Sequence, residues 1–112
     1  MEKIDLYRQH IQTVIKQHSR VKPAFGDVEL QTIFDTERDH YQLFHAGWHG
    51  NRRKYGCLMH MDIKEDGKIW IQHDGTEIGV AHELVELGVP KEDIVLAYHA
   101  PYKRPYTGFA VC

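Results

Sequence analysis

Between Val28 and Asp74 the chain alternates with a period of two, interrupted only by the short connectors Thr36–Asp39, His49–Asn51 and Glu65–Gly67. Val28, Leu30, Thr32 and Phe34 alternate with Glu29, Gln31 and Asp35, and Ile33 is the exception on the polar side. Further strands are expected over His40–Trp48, Arg52–Ile63 and Lys68–His73. Connectors this short join antiparallel neighbours, because a parallel crossover needs roughly a dozen residues or more. The stretch predicts a four-stranded antiparallel meander.

Parity fixes the last turn of that meander. A loop of Asp66 and Gly67 alone would pair Lys64 with Ile69 and Asp62 with Ile71, mixing polar and apolar residues on both faces. A longer loop, Glu65–Gly67 with Gly67 in the left-handed conformation, pairs Ile63 with Ile69 and Met61 with Ile71. Burial selects the second register, since a one-residue slip turns the apolar set outward. Extended across the sheet, it places Val28, Leu30, Phe34, Tyr41, Leu43, Cys57, Met59, Met61, Ile63, Ile69 and Ile71 on the core face. The other face receives Gln31, Gln42, Lys54, His60, Asp62 and Gln72, but also Phe44, Trp48, Leu58 and Trp70. Solvent alone does not account for that aromatic set, which predicts cover by a later segment or another subunit.

Ahead of the strands, Ile4, Tyr7, Ile11, Val14, Ile15 and His18 fall at helical spacing and predict an amphipathic helix from Glu2 to about Ser19. Pro23 and Gly26 end the connection that follows it. After the strands, Thr76 is the expected N-cap of a second helix with the stripe Ile78, Ala81, Leu84 and Val85, closed by Gly88. Lys91–Asp93 suits one helical turn, and Ile94–Tyr98 a short strand. The tail carries Pro101 and Pro105, which forbid continuous helix, yet holds Tyr98, Tyr102, Tyr106, Phe109 and Val111 and is expected to pack. The fold class is α+β: N-terminal helix, four-stranded antiparallel meander, second helix, short C-terminal strand and ordered tail. Residues 1–112 are expected to form a single domain.

Charge narrows the function. Fourteen Lys and Arg oppose sixteen Asp and Glu, a formal balance of −2, which removes the simplest case for a general nucleic-acid clamp. No apolar run reaches the ~20 residues needed to cross a bilayer, and the N-terminus lacks a signal-peptide core. Cys57 and Cys112 have neither disulfide-framework nor metal-ligand spacing. These features predict a soluble cytoplasmic protein with reduced thiols and no membrane contact.

Nine histidines raise the question of metal or catalysis. His45 and His49 are roughly 13 Å apart along an extended strand, too far to share an ion directly. His60 and His73 fall on opposite faces in the register above. His82 opens HELVE, which is similar to the zinc-protease helix motif but has Glu86 in place of the second histidine, and no third ligand is evident. A metal-dependent hydrolase centred on His82 and Glu86 is the least favoured reading. No serine elbow, phosphate-binding loop or paired carboxylates stand out, and Cys57 lies on the expected core face. No catalytic, cofactor or metal residues are therefore assigned.

Binding surfaces are better supported. Phe44, Trp48, Leu58 and Trp70 form a candidate protein interface. Arg52, Arg53 and Lys54 lie at a hairpin tip beside Trp48, and Lys103 and Arg104 lie between Tyr102 and Tyr106. Basic groups among aromatics can hold phosphates and stack bases, so these five are the candidate nucleic-acid contacts.

The stretches FDTERDHYQL, GWHGNRRKYGCLMHMDIK, GKIWIQHDGTEIGVAHELVELGVPKEDIV and HAPYKRPYTGFAV resemble the XisI family, the fdxN element excision controlling factors of cyanobacteria. The resemblance spans essentially the whole chain. It implies an accessory role in programmed excision of a DNA element during heterocyst differentiation, beside a site-specific recombinase and a second accessory protein that resembles a nuclease. It supplies no catalytic residues to carry over. The expectation is a non-enzymatic regulatory factor, acting mainly by protein–protein contact as a homodimer or with that second factor. The alternative is a DNA-binding accessory module that uses the two basic clusters.

Overall fold

In the computed structural model, which describes residues 2–20, 26–77 and 79–112, the alternating stretch becomes β1 (Asp27–Asp35), β2 (His40–His49), β3 (Arg52–Ile63) and β4 (Ile69–Asp74). The strands pair antiparallel in chain order, as their short connectors require. The last turn takes the register that parity selects: Ile63 faces Ile69 and Met61 faces Ile71. Gly67 has φ +79°, and its N–H closes the turn onto the Lys64 carbonyl at 2.9 Å.

The sheet gains a fifth member. β5 (Ile94–Leu96) lies parallel to β4, pairing Ile69 with Ile94 and Ile71 with Leu96. It is shorter than the Ile94–Tyr98 expected: the Ala97 N–H still reaches the Ile71 carbonyl of β4, shared with that of Val95, and the His99 N–H then bonds back to Leu96, turning the chain. Beyond β5, Ala110 donates to Ile94 and bridges Val95 on the outer edge. The edge is thus partly covered by the chain's own tail.

α1 (Lys3–Ser19) lies on one face of the sheet and buries Tyr7, Ile11, Val14 and Ile15. These join Tyr41, Leu43, Met59, Met61, Ile69 and Ile71 in one hydrophobic core. Two polar contacts fix the helix to both sides of that core. Arg8 pairs with Asp39 in the β1–β2 turn, and the Tyr7 hydroxyl donates to Asp93, which also pairs with Lys3.

α2 (Val80–Glu86) starts later than expected and adds Val80, Ala81 and Leu84 to the core. Thr76 is not its N-cap. Asp74 does that work from the end of β4: one carboxylate oxygen accepts the Val80 N–H at 2.9 Å, and the other accepts the Thr76 N–H and hydroxyl. Gly88, at φ +106°, closes the C-terminus, with Val89 N–H bonded to the Leu84 carbonyl and Gly88 N–H to that of Val85. Pro23 and Ile78 lie outside the described residues. Lys91–Asp93 forms the expected single turn, of 3₁₀ type, and Pro101–Tyr106 forms a longer 3₁₀ segment of six residues with Pro105 inside it.

The tail is ordered but its tyrosines are not core. Tyr98, Tyr102 and Tyr106 are exposed, the last at 89%. Phe109 packs against the core, and Arg104 bonds the carbonyls of Ala97 and His99. Among the described residues, no helix is long and apolar enough to cross a membrane.

Candidate functional site

The face of the sheet opposite α1 carries the candidate surface, and two irregularities decide what stands on it. The β2–β3 connection is only Gly50 and Asn51, so His49 pairs with Arg52. Continued unbroken, that register would set Tyr41 against His60 and turn the imidazole into the core. A bulge prevents it: Phe44 faces Cys57 while Leu43 faces Met59, leaving Leu58 as the inserted residue. Burial of Met59 and Met61 is the driving force.

The bulge corrects three expectations. Leu58 packs against the core rather than standing on the outer face. Cys57 shares the face of Phe44 instead of the core face, and burial pushes its thiol pKa up, which disfavours the thiolate a nucleophile needs. Lys54 pairs with Gly47 on the α1 side of the sheet, where it remains exposed.

Tyr55 takes the place that parity assigned to its neighbours. It pairs with Ala46, stands 65% exposed, and its ring lies 5.8 Å from that of Phe44. Trp48 is 51% exposed and pairs with Arg53. The Arg53 guanidinium sits 5.5 Å from the Trp48 ring and 5.4 Å from the Tyr55 ring, bridging them by cation–π contact. Phe44, Trp48, Tyr55 and Arg53 thus form one aromatic patch near the hairpin tip.

Trp70 is not part of it. It pairs with Asp62, nine positions along β3 from Arg53, which separates the two tryptophans by roughly 30 Å at the ordinary strand rise. Its indole N–H donates to Asp66 at 3.2 Å, and Lys64 and Arg104 lie 4.1 and 5.6 Å from its ring. The basic residues divide in the same way. Arg52, Arg53 and Lys54 are exposed at the hairpin tip, whereas Lys103 and Arg104 lie at the Trp70 end, with Arg104 committed to backbone carbonyls.

Between the aromatic ends the face carries Ile33 and Cys57 and a cluster of polar side chains. His40 and Asp62 are directly paired across β2 and β3, and His60 stands two residues before Asp62. His40 Nδ1 and His60 Nε2 both meet the same Asp62 oxygen, at 2.7 and 2.9 Å, and the Gln72 amide donates to the other at 3.3 Å. Asp62 is only 7% exposed, the sole charged residue buried among the described ones. A second bulge, at Gln72, sets His73 opposite His60, which overturns their expected placement on opposite faces. On the helix side, Glu83 bonds His18 at 2.7 Å, and no third ligand joins His82 and Glu86 among the described residues. Parity could have found the polar trio: Tyr41, Met59 and Met61 inward put His40, His60 and Asp62 outward.

Comparison with known proteins follows the same architecture. The family model described as XisI protein matches residues 1–111. A crystal structure of a XisI-like protein from Anabaena variabilis is 45% identical, covers 97% of this chain and 99% of its own, and superposes with a TM-score of 0.90. A crystal structure of fdxN element excision controlling factor XisI, from the same organism, is 34% identical over 99% of this chain and 100% of its own, with a TM-score of 0.82. A search of the curated proteins found no significant match.

Proposed function

The chain belongs to the XisI family, and we propose that it is a non-enzymatic accessory factor in the cytoplasm, controlling site-specific excision of a DNA element through protein–protein contacts. The observation that carries the proposal is the end-to-end likeness to a protein named for control of fdxN element excision. The aromatic patch supports the contact mode. Phe44, Trp48 and Tyr55 with Arg53 supply the aromatic and arginine content that marks interface centres. Its occupant is a second copy of this chain, and the other partner is an accessory protein that resembles a nuclease. In a heterocyst-forming host the excised element is of the fdxN type.

Genome sequencing of host cells with and without the gene, scoring reads across excised junctions, tests the role. The reading expects at least one junction to change in frequency on deletion. Identical junctions at identical frequencies in both strains would remove it.

Direct DNA contact is the second reading, favoured by the exposed Arg52, Arg53 and Lys54 beside Trp48. It confines DNA to the hairpin tip, since Lys103 and Arg104 lie at the other end of the sheet. Three cations predict binding that falls steeply with salt and weakens in Arg52→Ala plus Arg53→Ala. No binding in low salt would exclude it.

A further inference from the structure

We propose that His40, His60 and Asp62 form a binding site for a divalent transition-metal ion of the zinc class on the outer face of the sheet. This inference stands independently of the excision role. One ring nitrogen of His40, one of His60 and an Asp62 carboxylate oxygen lie within 4.8 Å of one another. Two imidazoles and one carboxylate are the donor set of open zinc and related sites, in which water completes the shell.

The fold holds these ligands on rigid elements. His40 and Asp62 face each other across a paired register of β2 and β3, and His60 shares their face. Gln72 on β4 donates to the second Asp62 oxygen, fixing the carboxylate as outer-shell partners do in metal sites. Exposure grades across the trio, from 10% for the Asp62 side chain through 29% for His60 to 53% for His40. The site therefore opens to solvent on the His40 side, where water ligands can stand.

Without an ion, both imidazoles donate to the one Asp62 oxygen at 2.7 and 2.9 Å. Bonds of about 2.0–2.1 Å in a tetrahedral shell place ligand atoms roughly 3.3 Å apart. Binding thus requires each imidazole nitrogen to move about half an ångström away from the Asp62 oxygen, which the half-exposed His40 ring can supply. Each imidazole must present a lone pair to the ion, so on binding the His40 proton shifts from Nδ1 to Nε2 and the His60 proton from Nε2 to Nδ1. The competing explanation is that two histidines only satisfy the hydrogen-bonding needs of a nearly buried carboxylate.

Titration of the intact, metal-stripped chain with zinc against a chromophoric chelator separates the two. The site predicts one zinc per chain at micromolar free ion or below. His60→Ala and His40→Ala should each weaken it by more than the roughly 10–100-fold that the loss of an outer hydrogen-bond partner costs, while His82→Ala leaves it unchanged. Circular dichroism confirms that each variant is folded, and His40→Ala, the most exposed ligand, serves if His60→Ala is not. No uptake by the intact chain, or uptake that survives loss of either histidine, overturns the proposal.

Discussion

Arg8 grips Asp39 with two parallel hydrogen bonds, Nε to one carboxylate oxygen at 2.7 Å and Nη2 to the other at 3.0 Å. Asp39 holds the β1–β2 turn at φ +58°, in the left-handed region, and accepts the Tyr41 hydroxyl at 2.8 Å. One carboxylate thus joins the helix, the turn and a buried core ring.

That contact sets an acid limit. The Arg8 guanidinium holds the Asp39 carboxyl below the usual carboxylate range, against the opposing effect of burial. Asp93 is likewise depressed: burial raises it, and the Lys3 and Tyr7 hydrogen bonds outweigh that. A carboxyl with a depressed folded pKa stabilises the fold above its unfolded value, near 3.9, and loses that contribution as pH falls through the folded value. Urea midpoints should therefore drop steeply below about pH 4. Arg8→Ala should be less stable at neutral pH, and its deficit should shrink in acid.

The alkaline side is governed by tyrosines. Burial and then the hydrogen bond to a carboxylate push Tyr7 and Tyr41 well above the ordinary phenol value. Their contribution to stability is complete below about pH 10 and is lost as pH rises towards the raised folded values. Absorbance titration should show a phenolic fraction that ionises only as the chain unfolds. Tyr7→Phe should remove part of that fraction and cost about 1 kcal/mol in urea unfolding at neutral pH.

Gly47 marks a close approach of two strands. A Cβ built there would meet the Asp27 carbonyl oxygen at 2.0 Å and the Val28 Cα at 2.6 Å. Both are backbone atoms of β1, so neither can swing aside. Gly47→Ala should lower the urea midpoint and speed amide exchange at the start of β1, leaving α1 and β4 protected until global unfolding.

The aromatic patch predicts its own oligomer. Light scattering should give a dimer that Trp48→Ala plus Tyr55→Ala converts to monomer, because both rings stand largely exposed at one end of the sheet. Trp70→Ala should leave the dimer intact. A monomeric parent chain, or dissociation by Trp70→Ala alone, would reject this interface.

The meander and the β3–β4 turn were legible because Ile63, Ile69, Met61 and Ile71 leave one register that buries them all. α1 was legible for the same reason, through Tyr7, Ile11, Val14 and Ile15. The bulges at Leu58 and Gln72 were not: an inserted residue in a strand leaves no local mark, and only the burial of distant partners reveals it. The pairing of β5 beside β4 depends on long-range packing that a three-residue apolar run does not specify. Counting aromatics misled in the tail, where Pro101 and Pro105 fit a surface 3₁₀ turn that turns Tyr102 and Tyr106 outward. The polar trio followed from alternation, yet pairing His40 with Asp62 needed the register that Leu58 shifts.

Leu58 works as a phase dislocation within β3. Downstream, odd-numbered residues look towards α1; upstream, even-numbered ones do, while β2 keeps a single phase throughout. Met59 and Tyr55, four residues apart, can therefore serve opposite sides of the sheet. A chain lacking Leu58 would have to choose between its core and its aromatic patch, because no single alternation supplies both.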